Sequence, residues 1–300
     1  MTLMKNVIDK RMYYFYQTVQ LGGIRVAADA LNIAPSAISR QIANLEKELG
    51  IVLLERGMRG ARPTEAGYYV LDCFRHVLEQ AEVLESRIGA LKGMNAGTIT
   101  VSTGAGYVKA LSLLITKFSA RHPQITIRIN INSSNEIIRK VLEGESNFGI
   151  LYNAIRHPKL KSHYRAQHPL HVFMAKNHAL SQNSSVSIKQ LTNERLAMTD
   201  ITHGIRQLIE NAEREHGLSL SPTLLCNDMN LLKDYALFGG VTFLPRFMLQ
   251  PSEVELITTK PLSEPIFLNP ESQIISRRGA ILSPASQALL IELAIMLKNL

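Results

Sequence analysis

The sequence predicts an α-rich winged helix-turn-helix domain, a long helix, and an α/β domain behind it. Three observations carry this. Residues 22–67, GGIRVAADALNIAPSAISRQIANLEKELGIVLLERGMRGARPTEAG, hold two short helical patterns that meet at a tight turn and lead into an arginine-bearing hairpin. From Val70 to Leu91 apolar residues recur at alternating steps of four and three. From Thr98 onward, short β-rich runs alternate with helical ones.

Ala28, Leu31, Ile33 and Ile38 fall where two crossing helices need small and apolar contacts. Asn32 is placed at the turn, since Asn tolerates a left-handed backbone better than most residues. Pro35 opens the second helix, because its missing N–H would go unsatisfied there anyway. The buried face is expected to be Ile38, Ile42, Leu45 and Leu49; the other face carries Ser36, Ser39, Arg40, Ala43 and Lys47. Small residues let a helix approach the major groove closely, and Arg40 suits a guanine edge or a phosphate. A solvated helix shows the same polar face, and it is the hairpin that favours nucleic acid. Residues 51–63 read as two short strands with Arg56, Arg59 and Arg62, against Glu55 as the local counter-charge. Such a hairpin suits the DNA backbone and the narrow minor groove. Thr64 is the expected N-cap of the next helix, with phosphate binding as a second role. Arg25, Pro35, Ser36, Ser39, Arg40, Arg56, Arg59, Arg62 and Thr64 are the candidate DNA contacts.

These residues resemble the DNA-binding end of the LysR-type transcriptional regulators. The match runs through Phe15, Val19, Gly22, Ala27, Ala28, Leu31, Ser39, Gln41, Ile42, Leu45, Glu46, Leu49, Gly50, Leu53, Arg56, Thr64, Ala66 and Gly67. Matches at fixed spacing are far more specific than a lone helix-turn-helix motif. Gly23 stands where that family usually has Ser, Ala34-Pro35-Ser36 replaces Ser-Gln-Pro, and Leu54 replaces Phe. The second departure removes a glutamine that often reaches DNA, so base contacts do not carry over from relatives.

Thr64 to about Leu91 reads as one helix about 42 Å long. Val70, Phe74, Val77, Ala81, Leu84, Ile88 and Leu91 form an a/d seam, widened by Leu71 and Leu78. The seam fits the same helix of a second subunit, as the resemblance also implies; packing against its own domain is the alternative. A dimer presents two recognition helices to two half-sites, hence an interrupted inverted repeat in double-stranded DNA. The resemblance extends this from homodimer to homotetramer, and RNA polymerase is a further expected partner. Residues 92–97, KGMNAG, break the helix. The expected domains are 1–63 for DNA binding, 64–93 for the linker helix and hinge, and 94–300 behind it.

Within 94–300, Thr98–Ser102, ITIRINI, FGILY, HVFMA, RLAMT, TLLCN, GVTFLP, IFLN and QIISRRG read as strands. Helices are expected at Ala110–Arg121, Asn135–Gly144, near Ser187–Leu191, at Gly204–His216, near Asn230–Phe238 and at Pro284–Leu300. This order predicts a mostly parallel sheet with helices on both faces. The pattern resembles the effector domain of the same family, two lobes shaped like a periplasmic solute-binding protein. The resemblance implies lobe one at 94–165 plus 269–300 and lobe two at 166–268. Asn147 stands where relatives usually carry Asp, and Phe238 replaces the first Gly of a Gly-x-Gly turn.

Open α/β sheets bind ligands beyond the carboxyl ends of their strands. The positions that qualify are Thr103, Gly104, Ala105, Gly106 and Tyr107; Ser133 and Ser134; Thr199, Asp200 and Ile201; and Asn227 and Met229. A turn or cap without a ligand explains each residue singly; the set as a whole marks a cleft. Helix N-termini and hydroxyls favour a small organic anion, in particular a carboxylate.

The net charge is +8, yet residues 1–93 hold 12 Lys+Arg against 10 Asp+Glu, so DNA binding rests on local placement. Residues 146–193 contain no Asp or Glu, which reads as a solvated basic surface or an anion-friendly lobe. The separated Cys73 and Cys226, the charged opening residues and the lack of a ~20-residue apolar run predict a reduced, cytoplasmic protein with no membrane partner. His163, His168 and His171 lack a Cys or Glu at ligand spacing, so no metal is expected. HExxH, GxSxG and GxxxxGK[ST] do not occur, and no cofactor or catalytic residue is expected. A free-standing enzyme or solute-binding module would not need the winged helix. An architectural DNA-bending protein would not need the C-terminal domain. A ligand-responsive, sequence-specific transcription regulator needs both.

Overall fold

The computed structural model describes residues 9–57, 60–91, 97–154 and 156–300. The chain divides into two compact units, Met1–Met94 and Asn95–Leu300.

The first unit begins with α1 (Lys10–Gln20), capped by Asp9, whose carboxylate accepts the Arg11 N–H at 2.8 Å. α2 (Ile24–Leu31) and α3 (Pro35–Leu49) follow, with Pro35 in the first turn of α3. Asn32 is left-handed at φ 54 and ψ 48, and Gly50 ends α3 in the same region at φ 67. Ala27 and Ala28 are fully buried in a core with Phe15, Ile38, Ile42, Leu45, Leu53 and Leu71. Leu49 does not join that face. It is 49% exposed, because it is the last residue of α3 and lies past the edge of the core. β1 (Leu54–Gly57) and β2 (Gly60–Pro63) pair antiparallel, with Glu55 opposite Arg62.

α4 (Glu65–Leu91) is the long helix. Its first part is claimed by its own unit. Leu71 joins the core above, and Phe74 is buried with its ring 5.6 Å from that of Tyr16 on α1. Phe74 is therefore removed from the seam expected for a second subunit. Val77 and Leu84 remain open, at 39% and 46% exposure, while Val70, Ala81 and Ile88 are half-buried. The side chain of Leu91 lies outside the described residues.

The second unit is built from two five-stranded sheets. The first contains β3 (Gly97–Thr103), β4 (Ile125–Ile131), β5 (Phe148–Tyr152), β6 (Leu160–Gln167) and β12 (Glu271–Arg277), in the order β4-β3-β5-β12-β6. The second contains β7 (Leu170–Ala175), β8 (Leu196–Met198), β9 (Pro222–Leu225), β10 (Val241–Pro245) and β11 (Ile257–Pro261), in the order β11-β7-β10-β8-β9. β3 runs parallel to β4 and β5, but β12 is antiparallel to both β5 and β6. In the other sheet β10 is parallel to β8 and antiparallel to β7. The sheets are mixed rather than mostly parallel, because the strands that cross between lobes enter against the direction set by the helical crossovers.

α5 (Val108–Arg121) and α9 (Pro284–Lys298) cover one face of the first sheet around Val101, Phe118, Ile274 and Leu293. α6 (Ser134–Leu142) covers the other through Ile137 and Val141. α7 (Gly204–His216) and α8 (Met229–Leu237) pack into the second core with Phe173, Ile209, Leu232 and Phe243. The expected helix near Ser187–Leu191 is a 3-10 turn, Ile188–Asn193, closed by a capping box of Ser187 and Gln190. IFLN is not a strand: Pro265–Phe267 forms another 3-10 turn, and Pro265 has no N–H to give a ladder. Two departures from the family pattern are harmless here. Asn147 Oδ1 accepts the Thr100 N–H at 2.8 Å without needing a charge. Phe238 sits at φ -92, while the left-handed position falls on Gly239 at φ 86.

Candidate nucleic-acid interface and interlobe site

In the first unit one carboxylate of α3 holds the start of the wing. Glu46 of α3 accepts the N–H groups of Leu53 and Leu54 at 2.8 and 3.1 Å, where β1 begins. Thr64 completes the junction: its hydroxyl donates to the Val52 carbonyl at 2.8 Å and accepts the Gly67 N–H at 3.0 Å. Thr64 is thus the cap of α4, with its hydroxyl spent inside the fold, which argues against direct phosphate binding through that group. Gly67 lets α4 lie against the wing, since a Cβ there would come 2.3 Å from the Leu53 carbonyl oxygen.

Pro35, Ser36, Arg40, Ala43 and Lys47 are exposed on α3, Ser39 is half-buried beside them, and Arg25 is exposed on α2. Asn44 is exposed on the same stretch of α3 and was not among the expected contacts. Neither α2 nor α3 has a side-chain cap, because Gly23 and Ala34 occupy the N-cap positions. Arg62 is exposed on β2. The backbone of Arg56 lies in β1 opposite Ala61, while its side chain and the whole of Arg59 lie outside the described residues.

In the second unit the chain crosses between lobes at 168–169 and again at 268–270, and the His168 N–H donates to the Pro270 carbonyl at 2.9 Å. Hydrogen bonds link the ends of β3 and β4 and, across the lobes, the starts of α6 and α7. The Asn132 N–H donates to the Thr103 carbonyl at 3.0 Å. Ser134 Oγ, at the start of α6, accepts the Gly204 N–H at 3.0 Å, at the start of α7 in the other lobe. Asn135 donates its N–H to the Thr202 carbonyl at 3.2 Å, and Gln207 Nε2 donates to Asn135 Oδ1 at 3.1 Å.

Asp200 organises the lobe-two end. Its carboxylate accepts from the Thr202 N–H at 2.9 Å, the Thr202 hydroxyl, His203 Nδ1 at 3.1 Å and Asn227 Nδ2 at 2.6 Å. Partial burial works against its charge, but the bonds from Thr202, Asn227 and His203 outweigh it and hold the carboxyl well below the usual carboxylate range. Thr199, next to it, is 2% exposed, and its Oγ1 meets no hydrogen-bond partner among the described residues. Asn132 Oδ1 is in the same position. Ile201 and Asn227 are exposed.

Other expected site residues are withdrawn. Tyr107 is fully buried; its hydroxyl donates to Ser272 Oγ at 2.6 Å, and its ring stacks on Phe247 at 5.4 Å. Burial pushes that phenol well above its ordinary value, so it is a neutral donor. Met229 packs against the lobe-two core. Gly104 caps a 3-10 turn, Ala105–Tyr107, and a Cβ on Gly106 would run into Met248 Cε at 1.9 Å. Ser133 caps α6 with its hydroxyl, 3.5 Å from the Glu136 N–H. Sequence reasoning missed Asn135, Asn153, Gly204, Gln207, Phe247 and Met248. Only Gly204 carried a signal, a glycine directly at a helix start where close backbone approach is the usual reason for one.

A winged helix-turn-helix and a two-lobed α/β unit with strand ends meeting between its lobes define a DNA-binding regulator of the effector-responsive class. The chain belongs to the LysR family. Residues 92–295 match the LysR substrate binding domain, and residues 10–68 match the bacterial regulatory helix-turn-helix protein, lysR family. It is 25% identical to the HTH-type transcriptional activator CmpR of Synechocystis over 241 residues, 79% of this chain and 78% of that protein. It is 25% identical to the HTH-type transcriptional regulator CbbR of Rhizobium meliloti over 293 residues, 95% of this chain and 92% of that one. The fold is shared with full-length OxyR of Pseudomonas aeruginosa, at TM-score 0.68 and 20% identity over 96% of both chains. It is also shared with full-length CbnR solved with its target DNA, at TM-score 0.52 and 21% identity over 96% of this chain and 99% of that one. The protein is a transcription regulator with an effector-binding domain, and not an enzyme. No helix among the described residues is long and apolar enough to cross a membrane.

Proposed function

We propose that the protein binds an interrupted inverted repeat as a homo-oligomer, and that its C-terminal lobes sense a small organic anion, a carboxylate. The observation that carries the DNA half is the exposed row Ser36, Arg40, Ala43 and Lys47 on α3, with Arg62 on the wing held to that helix by Glu46. Arg25, Pro35, Ser39, Arg56 and Arg59 complete the proposed interface. One such module per chain calls for a second chain to read a repeat, and the exposed Val77 and Leu84 on α4 supply an apolar strip for it. CbnR, which shares the fold, is itself seen on target DNA. RNA polymerase is the further partner such a regulator would address.

The anion half rests on the unpartnered hydroxyl of buried Thr199 and on the N-terminal ends of α5 and α7, where backbone N–H groups and the positive dipole end favour negative charge. Thr103 and Asn227 are the neutral groups that would orient it. Asp200 stays compatible because its own charge is already met by Thr202, Asn227 and His203. The experiment maps bound DNA in cells, then measures thermal shifts of the full chain with metabolites of the adjacent genes and with panels of organic acids, amino acids and neutral sugars. Stabilisation by carboxylates, lost in Thr199→Val and Thr103→Val while DNA binding persists, is expected. Stabilisation by a neutral sugar alone would refute the anion reading.

A further inference from the structure

The lobes of the second unit touch through two sets of contacts, or flanks, that differ in chemistry. One is aromatic and apolar. The ring of Phe247, carried by lobe two, lies 5.4 Å from that of Tyr107 and 4.8 Å from that of His168. Met248 meets Gly106 beside it, and Lys233 Nζ reaches the Met248 carbonyl at 3.4 Å and Glu253 at 2.6 Å. Beneath the rings, Ser272 Oγ joins the Tyr107 hydroxyl and His168 Nδ1, each at 2.6 Å. The other flank is polar. There Ser134 meets Gly204, Asn135 meets Thr202 and Gln207, and Asn153 Nδ2 reaches the Gly204 carbonyl at 3.5 Å. The backbones nearly touch: a Cβ on Gly204 would lie 2.0 Å from the Tyr152 carbonyl oxygen, which cannot move aside as a side chain could.

These flanks respond differently to rotation of one lobe. Ring and thioether contacts are non-directional and survive small slides. Hydrogen bonds weaken steeply with angle and distance, so the polar set forms at one lobe angle only. We propose that Ser134 and Asn135 against Thr202 and Gly204 form a latch that fixes the lobe angle, with Phe247 between Tyr107 and His168 as the fulcrum. The proposal rests on the two-lobed sensing role but on no particular effector, so it is tested without one and separately from the anion reading. It also reassigns Ser134 from ligand contact to lobe contact.

The test is amide hydrogen exchange of the full-length chain, followed by mass spectrometry. Ser134→Ala removes the acceptor of the Gly204 N–H, and Gly204→Ala drives a methyl into the Tyr152 carbonyl. Ser133→Ala, which affects a cap inside lobe one, is the control. Peptides spanning 132–136 and 200–207 should exchange about five- to tenfold faster in Ser134→Ala and at least as fast in Gly204→Ala, as expected for loss of a buried hydrogen bond. Strand peptides 99–103 and 241–245 should keep their protection in Ser134→Ala, and Ser133→Ala should leave 200–207 unchanged. Unaltered exchange at 200–207 in Ser134→Ala overturns the latch. So does an equal effect from Ser133→Ala, or loss of protection through the strands, which would make Ser134 a support of the fold as a whole.

Discussion

Ala34 and Gly23 are small departures from the family pattern with a physical consequence. Ala34 has the extended backbone of an N-cap, φ -67 and ψ 135, but no side-chain oxygen to offer the first turn of α3. Ala34→Ser should therefore stabilise the first unit by about 1 kcal/mol, read as a higher midpoint in urea with an unchanged slope. A midpoint that stays put would mean the first-turn N–H groups are already satisfied. A second residue-scale effect concerns histidine. Burial holds His163, His168 and His171 below the ordinary imidazole value, with Lys161 adding to it for His163 and Arg246 for His171. Tyr107 donates to Ser272, whose own hydroxyl is then free to donate to His168 Nδ1 at 2.6 Å, an arrangement that a neutral imidazole completes. The unfolded chain then binds protons more readily than the folded one. Stability is present in full above about pH 6.5 and falls as the pH drops through it. The second unit should melt lower at pH 5.5 than at 7.5, and the difference should shrink in His168→Asn. Equal melting at both pH values would contradict the neutral, buried assignment. The depressed Asp200 acts in a separate window, its contribution being lost only as the pH falls below the ordinary carboxylate range.

At the scale of elements, the helix-turn-helix was legible because each boundary has a chemical marker: Asn32 for the left-handed turn, Pro35 for the helix start, Gly50 for its end. The seam on α4 was legible as a period but not as an address, since periodicity cannot tell an apolar face used by the same chain from one left for another. Phe74 went to Tyr16; Val77 and Leu84 stay exposed. β6, LKSHYRAQ, and β11, ITTKP, were missed because polar and basic residues interrupt the alternation that marks a strand, and only their antiparallel neighbours β12 and β7 fix them. The interlobe bonds were illegible for a different reason: Ser134 and Gly204 are linked by the fold alone, with no local pattern in common. Leu84→Glu would set an unpaired charge in the proposed α4 interface. Light scattering should show smaller particles, with DNA affinity collapsing; retention of size would place assembly elsewhere on the chain. Arg62→Ala should lower the slope of log affinity against log salt by about one unit if that side chain holds a phosphate. An unchanged slope would remove Arg62 from the interface.

For the whole molecule, charge alone is a poor guide. The chain carries +8, but residues 1–93 contribute only 12 basic against 10 acidic groups, so the proposed DNA contact rests on the placement of Arg40, Lys47 and Arg62 and not on bulk charge. One chain carries one helix-turn-helix, so the proposed second reading head must come from a symmetry-related copy. The claim that joins sequence, fold and function is that two copies of α3 read two half-sites of one inverted repeat. Footprinting of the purified full-length chain on a bound genomic fragment, alongside the same fragment with one half-site scrambled, tests it most directly. Two protected half-sites centred about 34–36 Å apart, or a multiple of that, are predicted, with protection of both weakened by scrambling either. Full protection of a single half-site by a monomer, indifferent to the other, would contradict the account.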